Sequence, residues 1–235
     1  ISVLPHQQLV RKVPGFMPDD EFVRIQDCLR DHPLTGRTVL DDVAFAATKG
    51  FVIGFNREGV STFKNDPRFE CLHSYFDRAV YHGANAFVMN VLVCHIPTNE
   101  SDVVVDLHID NTVLSWYPGI VFAHQVNVLY MSVPQDMRGG NLQIFKYGPD
   151  PRLDHDSTFR AKAQIQALPA EQTVTPQENL MVAFRGDSYH RVMGYRTQTT
   201  HKRISLVLEQ YQVPTWVYPF TVTFDFFTKS NMPMM

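Results

Sequence analysis

From residue 86 onward the chain is a succession of short runs rich in Val, Ile, Phe and Tyr, parted by turn residues. The runs are 86–96, 102–109, 125–133, 141–147, 171–175, 180–184, 190–195, 202–211 and 217–227. Segments this short and this apolar bury themselves by pairing edge to edge, as strands of a barrel or sandwich. Gly139-Gly140 reads as a hairpin turn and Pro149-Asp150-Pro151 as a loop. Ahead of the runs lie two helical patterns. Residues 16–30 start on Pro18, Asp19 and Asp20 and carry an apolar stripe of Phe22, Val23, Ile25, Cys28 and Leu29. Residues 67–82 place Leu72, Tyr75, Phe76, Ala79 and Val80 at helical spacing and end near Gly83. A strand-like piece, Phe51 to Phe55, lies between them. The expected fold is α+β, mainly β: one domain with a jelly-roll core and helices packed outside. A length of 235 residues suits that size of core.

Composition narrows the function classes. The formal net charge is −3 with no basic run, which gives no reason to expect a nucleic-acid partner. No run approaches the roughly 20 apolar residues of a membrane span, so no membrane partner is expected. The first thirty residues lack the apolar core of a signal peptide. The three cysteines, Cys28, Cys71 and Cys94, are widely spaced and odd in number. They read as reduced thiols rather than a disulfide framework, and the expected location is cytoplasmic.

The chemistry-bearing residues come in order along the strand-like runs. His108 and Asp110 are two apart, which on a strand puts both side chains on one face about 7 Å apart. His190 opens a later run, after the turn Arg185-Gly186-Asp187-Ser188. Two imidazoles and one carboxylate make the facial triad that holds non-haem Fe(II) with positions left open. A His-x-Asp pair also recurs by chance, and the chain has ten histidines. Asp106 shares the expected face of His108 and competes with Asp110, and His95, His124, His155 and His201 are further ligand candidates.

Thirteen residues after His190 comes Arg203, on a run that continues Ile204-Ser205. A guanidinium is an always-charged fork for a carboxylate, and the Ser205 hydroxyl on the same face adds a donor. The pair could anchor one end of a dicarboxylate whose other end chelates the metal. The competing reading makes Arg203 a surface residue beside His201 and Lys202. Arg191 and Arg196 lie nearby.

Taken together, His108-Ile109-Asp110, Tyr130-Met131-Ser132, Gly139-Gly140-Asn141-Leu142, Leu180 to Phe184, His190-Arg191-Val192 and Arg203-Ile204-Ser205 resemble the ordered motifs of Fe(II)/2-oxoglutarate-dependent dioxygenases, in the prolyl-hydroxylase-like branch. The match covers roughly residues 85–211, and Pro14 to Phe22 is similar to the start of that branch. The resemblance implies a double-stranded β-helix, cupin-like fold. It implies His108, Asp110 and His190 as catalytic iron ligands, Arg203 as co-substrate anchor with Ser205 assisting, and Tyr130 as a donor to the co-substrate. It divides the single oxygenase domain 1–235 into helical support over 1–84, a core over 85–211 and a C-terminal strand or tail over 212–235. Two departures stand out: Asn141 where the branch commonly has an acidic residue, and His95-Ile96-Pro97 where it commonly has a tyrosine. His95 is thereby a candidate to face co-substrate or substrate, or a structural histidine.

The implied activity is a hydroxylase that turns 2-oxoglutarate and O2 into succinate and CO2 at Fe(II), with ascorbate as a candidate accessory reductant. The Asp110 carboxylate favours hydroxylation over halogenation; desaturation, epoxidation and cyclisation use the same site. A compact chain with no peptide-binding appendage favours a small-molecule substrate, an amino acid or natural-product intermediate. The alternatives are hydroxylation of a prolyl or other residue in a protein, and a cupin-like metal protein that is not an oxygenase. Substrate selection is expected from 97–106, 41–64 and 148–162, with Trp116, Tyr117 and Phe122 as candidate pocket residues. The aromatic tail from Pro214 could close the domain or meet a partner subunit; the sequence is silent on oligomeric state.

Overall fold

The computed structural model describes residues 8–35, 45, 47–94, 99–111, 121–146 and 162–227. Its frame is two antiparallel sheets. The larger is built from β1 (Val10–Pro14), β2 (Thr48–Asn56), β3 (Ala86–Cys94), β5 (Gln125–Ser132), β9 (Leu180–Arg185), β12 (Arg203–Tyr211) and β13 (Phe224–Phe227), in the order β1-β9-β5-β12-β3-β2-β13. The smaller is built from β4 (Val103–His108), β7 (Leu142–Ile144), β8 (Gln172–Val174) and β10 (His190–Met193), in the order β4-β10-β7-β8. A two-stranded piece pairs β6 (Arg138–Gly139) with β11 (Tyr195–Arg196). This is the expected double-stranded β-helix.

Strand alternation sorts the large sheet into two faces. On β12, Ile204, Leu206 and Leu208 point to one side and join a core with the N-terminal helices. Val207 and Tyr211 point to the other and pack with residues of the small sheet, such as Val105, Ile144 and Val192. The helical layer is α1 (Asp19–Asp31), α2 (Val60–Asn65) and α3 (His73–Ala79). Its aromatics interlock: Phe55 of β2 stacks on Phe63 at 4.8 Å and meets Phe76 edge-on at 5.3 Å.

Helix α1 follows the expected pattern. Asp19, Asp20 and Glu21 occupy its first turn, where the helix dipole favours acidic groups. Phe22, Ile25 and Leu29 form the buried stripe, while Val23 is 50 % exposed and lies outside it. The second expected helix is divided. A 3-10 turn over Pro67–Leu72, opened by Asp66 accepting from the Arg68 N–H, precedes α3. The chain leaves α3 at Val80, because the next N–H, of Tyr81, donates to Oε1 of Gln210 on β12 at 2.8 Å. The run 217–227 likewise divides into a 3-10 turn, Tyr218–Phe220, and β13.

Three expectations need correction. Gly139-Gly140 is not a hairpin turn: β6 and β7 pair with different strands, and the two glycines, at φ +81° and +70°, bend the chain from one pair to the next. The segment 1–84 is not only helical, since it supplies β1 and β2 to the large sheet. The cysteines are not all reduced: Cys28 of α1 is disulfide-bonded to Cys71 in the 3-10 turn, and Cys94 alone is free and buried. The pairing tells against a reducing compartment and withdraws the support that free thiols gave to a cytoplasmic location. Among the described residues no helix is long and apolar enough to cross a membrane.

Breaking the cross-link is expected to destabilise the fold by about 2–4 kcal/mol. Thermal melts of the native protein against Cys71→Ser, with and without reductant, check this; equal melting temperatures would show that the bond adds nothing.

Candidate active site

The pairing of β4 with β10 sets His190 opposite His108. Asp110 follows two residues later, just past the end of β4, and its carbonyl accepts from the Ala123 N–H at 3.0 Å. The Ala123 backbone in turn lies so close to Gly186, in the turn before His190, that a side chain there would collide with it (2.2 Å from an added Cβ to the Ala123 carbonyl oxygen). The segments carrying the three side chains are thus locked together by backbone. Ligand atoms of His108, Asp110 and His190 lie within 4.8 Å of one another, the only such group among the described residues.

Each imidazole is oriented from behind. Nδ1 of His108 bonds the Asp106 carbonyl at 2.7 Å, and Nδ1 of His190 bonds the Ser188 carbonyl at 3.1 Å. A carbonyl only accepts, so each Nδ1 carries the proton and Nε2 keeps its lone pair for a metal. Both Nε2 atoms face Asp110, each 3.5 Å from one of its oxygens. Aromatic rings wall the pair: Phe184 of β9 meets His190 edge-on at 4.8 Å, and Phe45 meets His108 at 5.2 Å.

The electrostatics suit ligation. Burial, and then the charge of His108, pushes His190 down to about 4 despite the pull of Asp110. Burial also works against a charged His108, but the Asp110 carboxylate outweighs it and raises that imidazole. Burial likewise opposes charge on Asp110, and the two imidazoles outweigh it, holding the carboxyl below its ordinary value. Asp110 Oδ2 is buried and makes no hydrogen bond. An anionic oxygen without a donor, facing two imidazole lone pairs, fits a divalent cation.

The competing Asp106 is turned away. β4 carries an extra residue between Val105 and His108 relative to β10, and this bulge breaks the alternation that would place both side chains on one face. The Asp106 carboxylate instead bonds Lys162 at 2.9 Å and Gln166 at 3.3 Å. His124 and His201 are exposed and outside the cluster.

Arg203 is not on the surface: it is 3 % exposed, at the start of β12 on its inward face. Its Nη1 lies 3.3 Å from the sulfur of Cys94, its register partner on β3, and its guanidinium lies 5.4 Å from the Tyr130 ring centre. Tyr130 is the register partner of Ser205 across β5 and β12. Arg203 Nε, Ser205 Oγ and Tyr130 Oη are all buried and make no hydrogen bond of ordinary geometry. Burial raises the Tyr130 hydroxyl although Arg203 pulls it down, so it remains a donor at neutral pH. The neighbouring arginines are committed elsewhere, Arg191 to Gln143 and Arg196 to Asn99.

Cys94, Phe184 and Lys162 escape the sequence reading. Cys94 and Phe184 each lie in a recognised run, but only strand register shows what they face. His95, His155, Trp116 and Tyr117, and the insert 148–162 apart from Lys162, lie outside the described residues, as do parts of 97–106 and 41–64. Phe122 is described and half-buried.

No protein-family model matches the chain, and no curated protein matches it in sequence. Solved structures match it in fold. A prolyl-4-hydroxylase from Pseudomonas putida superposes with a TM-score of 0.53, at 15 % identity over 88 % of this chain and 95 % of that one. The chain has the fold of a prolyl-4-hydroxylase. A protein named IDO from Bacillus thuringiensis also matches, with a TM-score of 0.51 at 11 % identity, over 88 % of this chain and 91 % of that one. At these identities the likeness is one of fold, so the chemistry has to be argued from the residues themselves.

In metal-free protein, ring NMR is expected to show His190 titrating at about 4 and His108 above its ordinary value. Because His190 lies below the unfolded value of about 6.5, its contribution to stability is lost as the pH falls from about 6.5 to about 4. The contribution of His108 has the opposite sign, present below about 6.5 and lost as the pH rises through its folded value. A His190 titrating near 6.5 would put its ring outside the buried cluster.

Proposed function

We propose that this chain is an Fe(II)- and 2-oxoglutarate-dependent oxygenase that hydroxylates an unactivated C–H bond of a small molecule, an amino acid or natural-product intermediate. One observation carries the reading. The clustered His108, Asp110 and His190 share the interior of the fold with a buried arginine, and Tyr130 and Ser205 add two buried hydroxyls that make no hydrogen bond of ordinary geometry. A metal triad alone would suit any cupin-like protein. A buried guanidinium in the same interior gives a dicarboxylate its counter-charge.

His108, Asp110 and His190 would hold the iron. Iron bound there, with O2 and 2-oxoglutarate, supplies the oxidising power for C–H hydroxylation, leaving succinate and CO2. The protein's own part is binding and orientation. Arg203 receives the far carboxylate of 2-oxoglutarate through its fork, with Ser205 and Tyr130 donating their hydroxyl protons to it. Phe184 and Phe45 pack against the imidazoles and limit water around them. Residues 1–235 act as one oxygenase domain, and the likeness of fold to a prolyl-4-hydroxylase keeps a prolyl or other residue in a peptide as the second substrate class.

The test is spectroscopic and then catalytic. Adding 2-oxoglutarate to the anaerobic Fe(II) protein is expected to raise a charge-transfer band in the visible; a protein that binds Fe(II) but gives no band is a cupin-like metal protein of another kind. Asp110→Ala and His190→Ala are each expected to abolish succinate formation, and unchanged turnover in either would sink the triad. Arg203→Ala is expected to raise the KM for 2-oxoglutarate at least about thirtyfold, about 2 kcal/mol of lost ion pairing, with far less effect on the iron requirement. A shift confined to iron would remove Arg203 from the anchor role.

A further inference from the structure

The inward face of the large sheet opens over β2 and β3. Alternation puts Ala86, Val88, Asn90, Leu92 and Cys94 of β3 on that face. Three of them are buried, but Asn90 and Leu92 are only half-buried. Across the pairing, Leu92, Asn90 and Val88 stand opposite Gly50, Val52 and Gly54 of β2. Val52 is half-buried too, and the glycines on either side of it add no side chain. Val52, Asn90 and Leu92 thus floor a hollow in an interior that is otherwise filled.

Register places this hollow beside the site. Leu92 pairs with Ser205, next to the Arg203 anchor, and Asn90 pairs with Val207 one step further along β12. β2 itself starts at the metal. The N–H and the hydroxyl of Thr48 both donate to the Phe45 carbonyl at 2.8 Å, and the Phe45 ring meets His108 at 5.2 Å. From Thr48 the strand reaches Val52 in about 13 Å. A molecule beside the metal would rest on this wall.

The wall is hydrocarbon at Val52 and Leu92 and polar at Asn90. That amide is held in place: its Nδ2 donates to Oε1 of Glu209 at 2.7 Å. A carboxylate oxygen accepts, so the amide turns its N–H groups towards Glu209 and its oxygen the other way. Asn90 Oδ1 makes no hydrogen bond among the described residues, and it is not sealed in as the orphaned atoms of the anchor are. The wall therefore offers one oriented acceptor set between apolar side chains.

We infer that Asn90 Oδ1 is the substrate-recognition point of the site and accepts from an N–H or O–H group carried on a hydrocarbon body, which lies on Val52 and Leu92. The inference rests on the oxygenase reading and deepens it. Selection follows from the hydrogen-bond inventory: a fixed acceptor rewards a donor and is left unpaired, facing a lone pair, when an ether or ester oxygen takes the donor's place. Asn90 is a specificity residue and takes no part in the chemistry.

The test uses the full chain loaded with Fe(II) and 2-oxoglutarate. The probes are pairs that differ only in the donor: N-hexylacetamide against hexyl acetate, N-acetylleucine against 2-acetoxy-4-methylpentanoate, and 1-hexanol against 1-fluorohexane. Calorimetry under anaerobic conditions reads binding, and succinate formation in air reads coupling. The donor of each pair is expected to bind about tenfold more tightly than its partner and to raise succinate formation more. Asn90→Leu, close in size and without the acceptor, is expected to reduce that preference to about twofold or less. Asn90→Gln, which keeps the amide on a longer arm, is expected to retain more of it. Equal binding within the pairs overturns the inference, as does a panel in which no donor binds, or an Asn90→Leu protein with undiminished preference. Should Asn90→Leu fail to fold on melting, the comparison within the pairs decides alone. The charge-transfer band keeps the two levels apart: its absence condemns the oxygenase reading, and its presence without donor preference condemns only the assignment of Asn90.

Discussion

The pairing of His190 with His108 across β10 and β4 is the constraint on which the rest of the site depends. Two imidazoles can share one metal only if their strands are adjacent and in this register, and a slip of one residue would send one ring to the other face. The register is defended by backbone rather than by the rings. The carbonyls of Asp106 and Ser188 hold the two Nδ1 atoms, and the contact between Gly186 and Ala123 fixes the turn that delivers His190. Folding the sheets and shaping the ligand set are therefore the same event.

Charge in the interior follows from this frame. A sandwich core is a poor place for Asp110, Arg203 and Glu209, and each is there with a different kind of compensation. Asp110 faces imidazoles, Glu209 takes hydrogen bonds from an amide and a phenol, and Arg203 lies against a thiol and an aromatic ring. Among the described residues, the buried side-chain atoms left without hydrogen bonds belong mostly to the site: Asp110, Tyr130, Arg203 and Ser205 all contribute one, beside Tyr81 and Gln210 elsewhere. Buried polar groups are normally satisfied, so such a concentration marks where the protein expects a ligand.

Much of this was legible in the sequence, for identifiable reasons. Strand runs announce themselves through β-branched and aromatic residues, and most of the expected runs became strands or parts of strands. His108, Asp110 and His190 come together, as do Arg203, Ser205 and Tyr130, because chain order and alternation specify which residues can meet. What escaped was decided by tertiary contact. The bulge in β4 that turns Asp106 towards Lys162 has no local signature. Cys28 and Cys71 are 43 residues apart, and nothing in either neighbourhood tells that a helix and a 3-10 turn will meet. Tyr81 leaves its helix for a glutamine far along the chain. Edge strand β1 was missed because it is short and ends on a proline.

The disulfide has a topological side. It closes a covalent ring, and β2 lies on that ring between its two cysteines. The strand sits inside the large sheet, flanked by β3 and β13, while both cysteines belong to the helical layer outside it. Layer and sheet are consequently parts of one closed circuit, so β2 cannot peel away without carrying the circuit with it. A β2 that lets go of its neighbours is still tethered at both ends to the helical layer, so it re-pairs from a short distance rather than from a free chain.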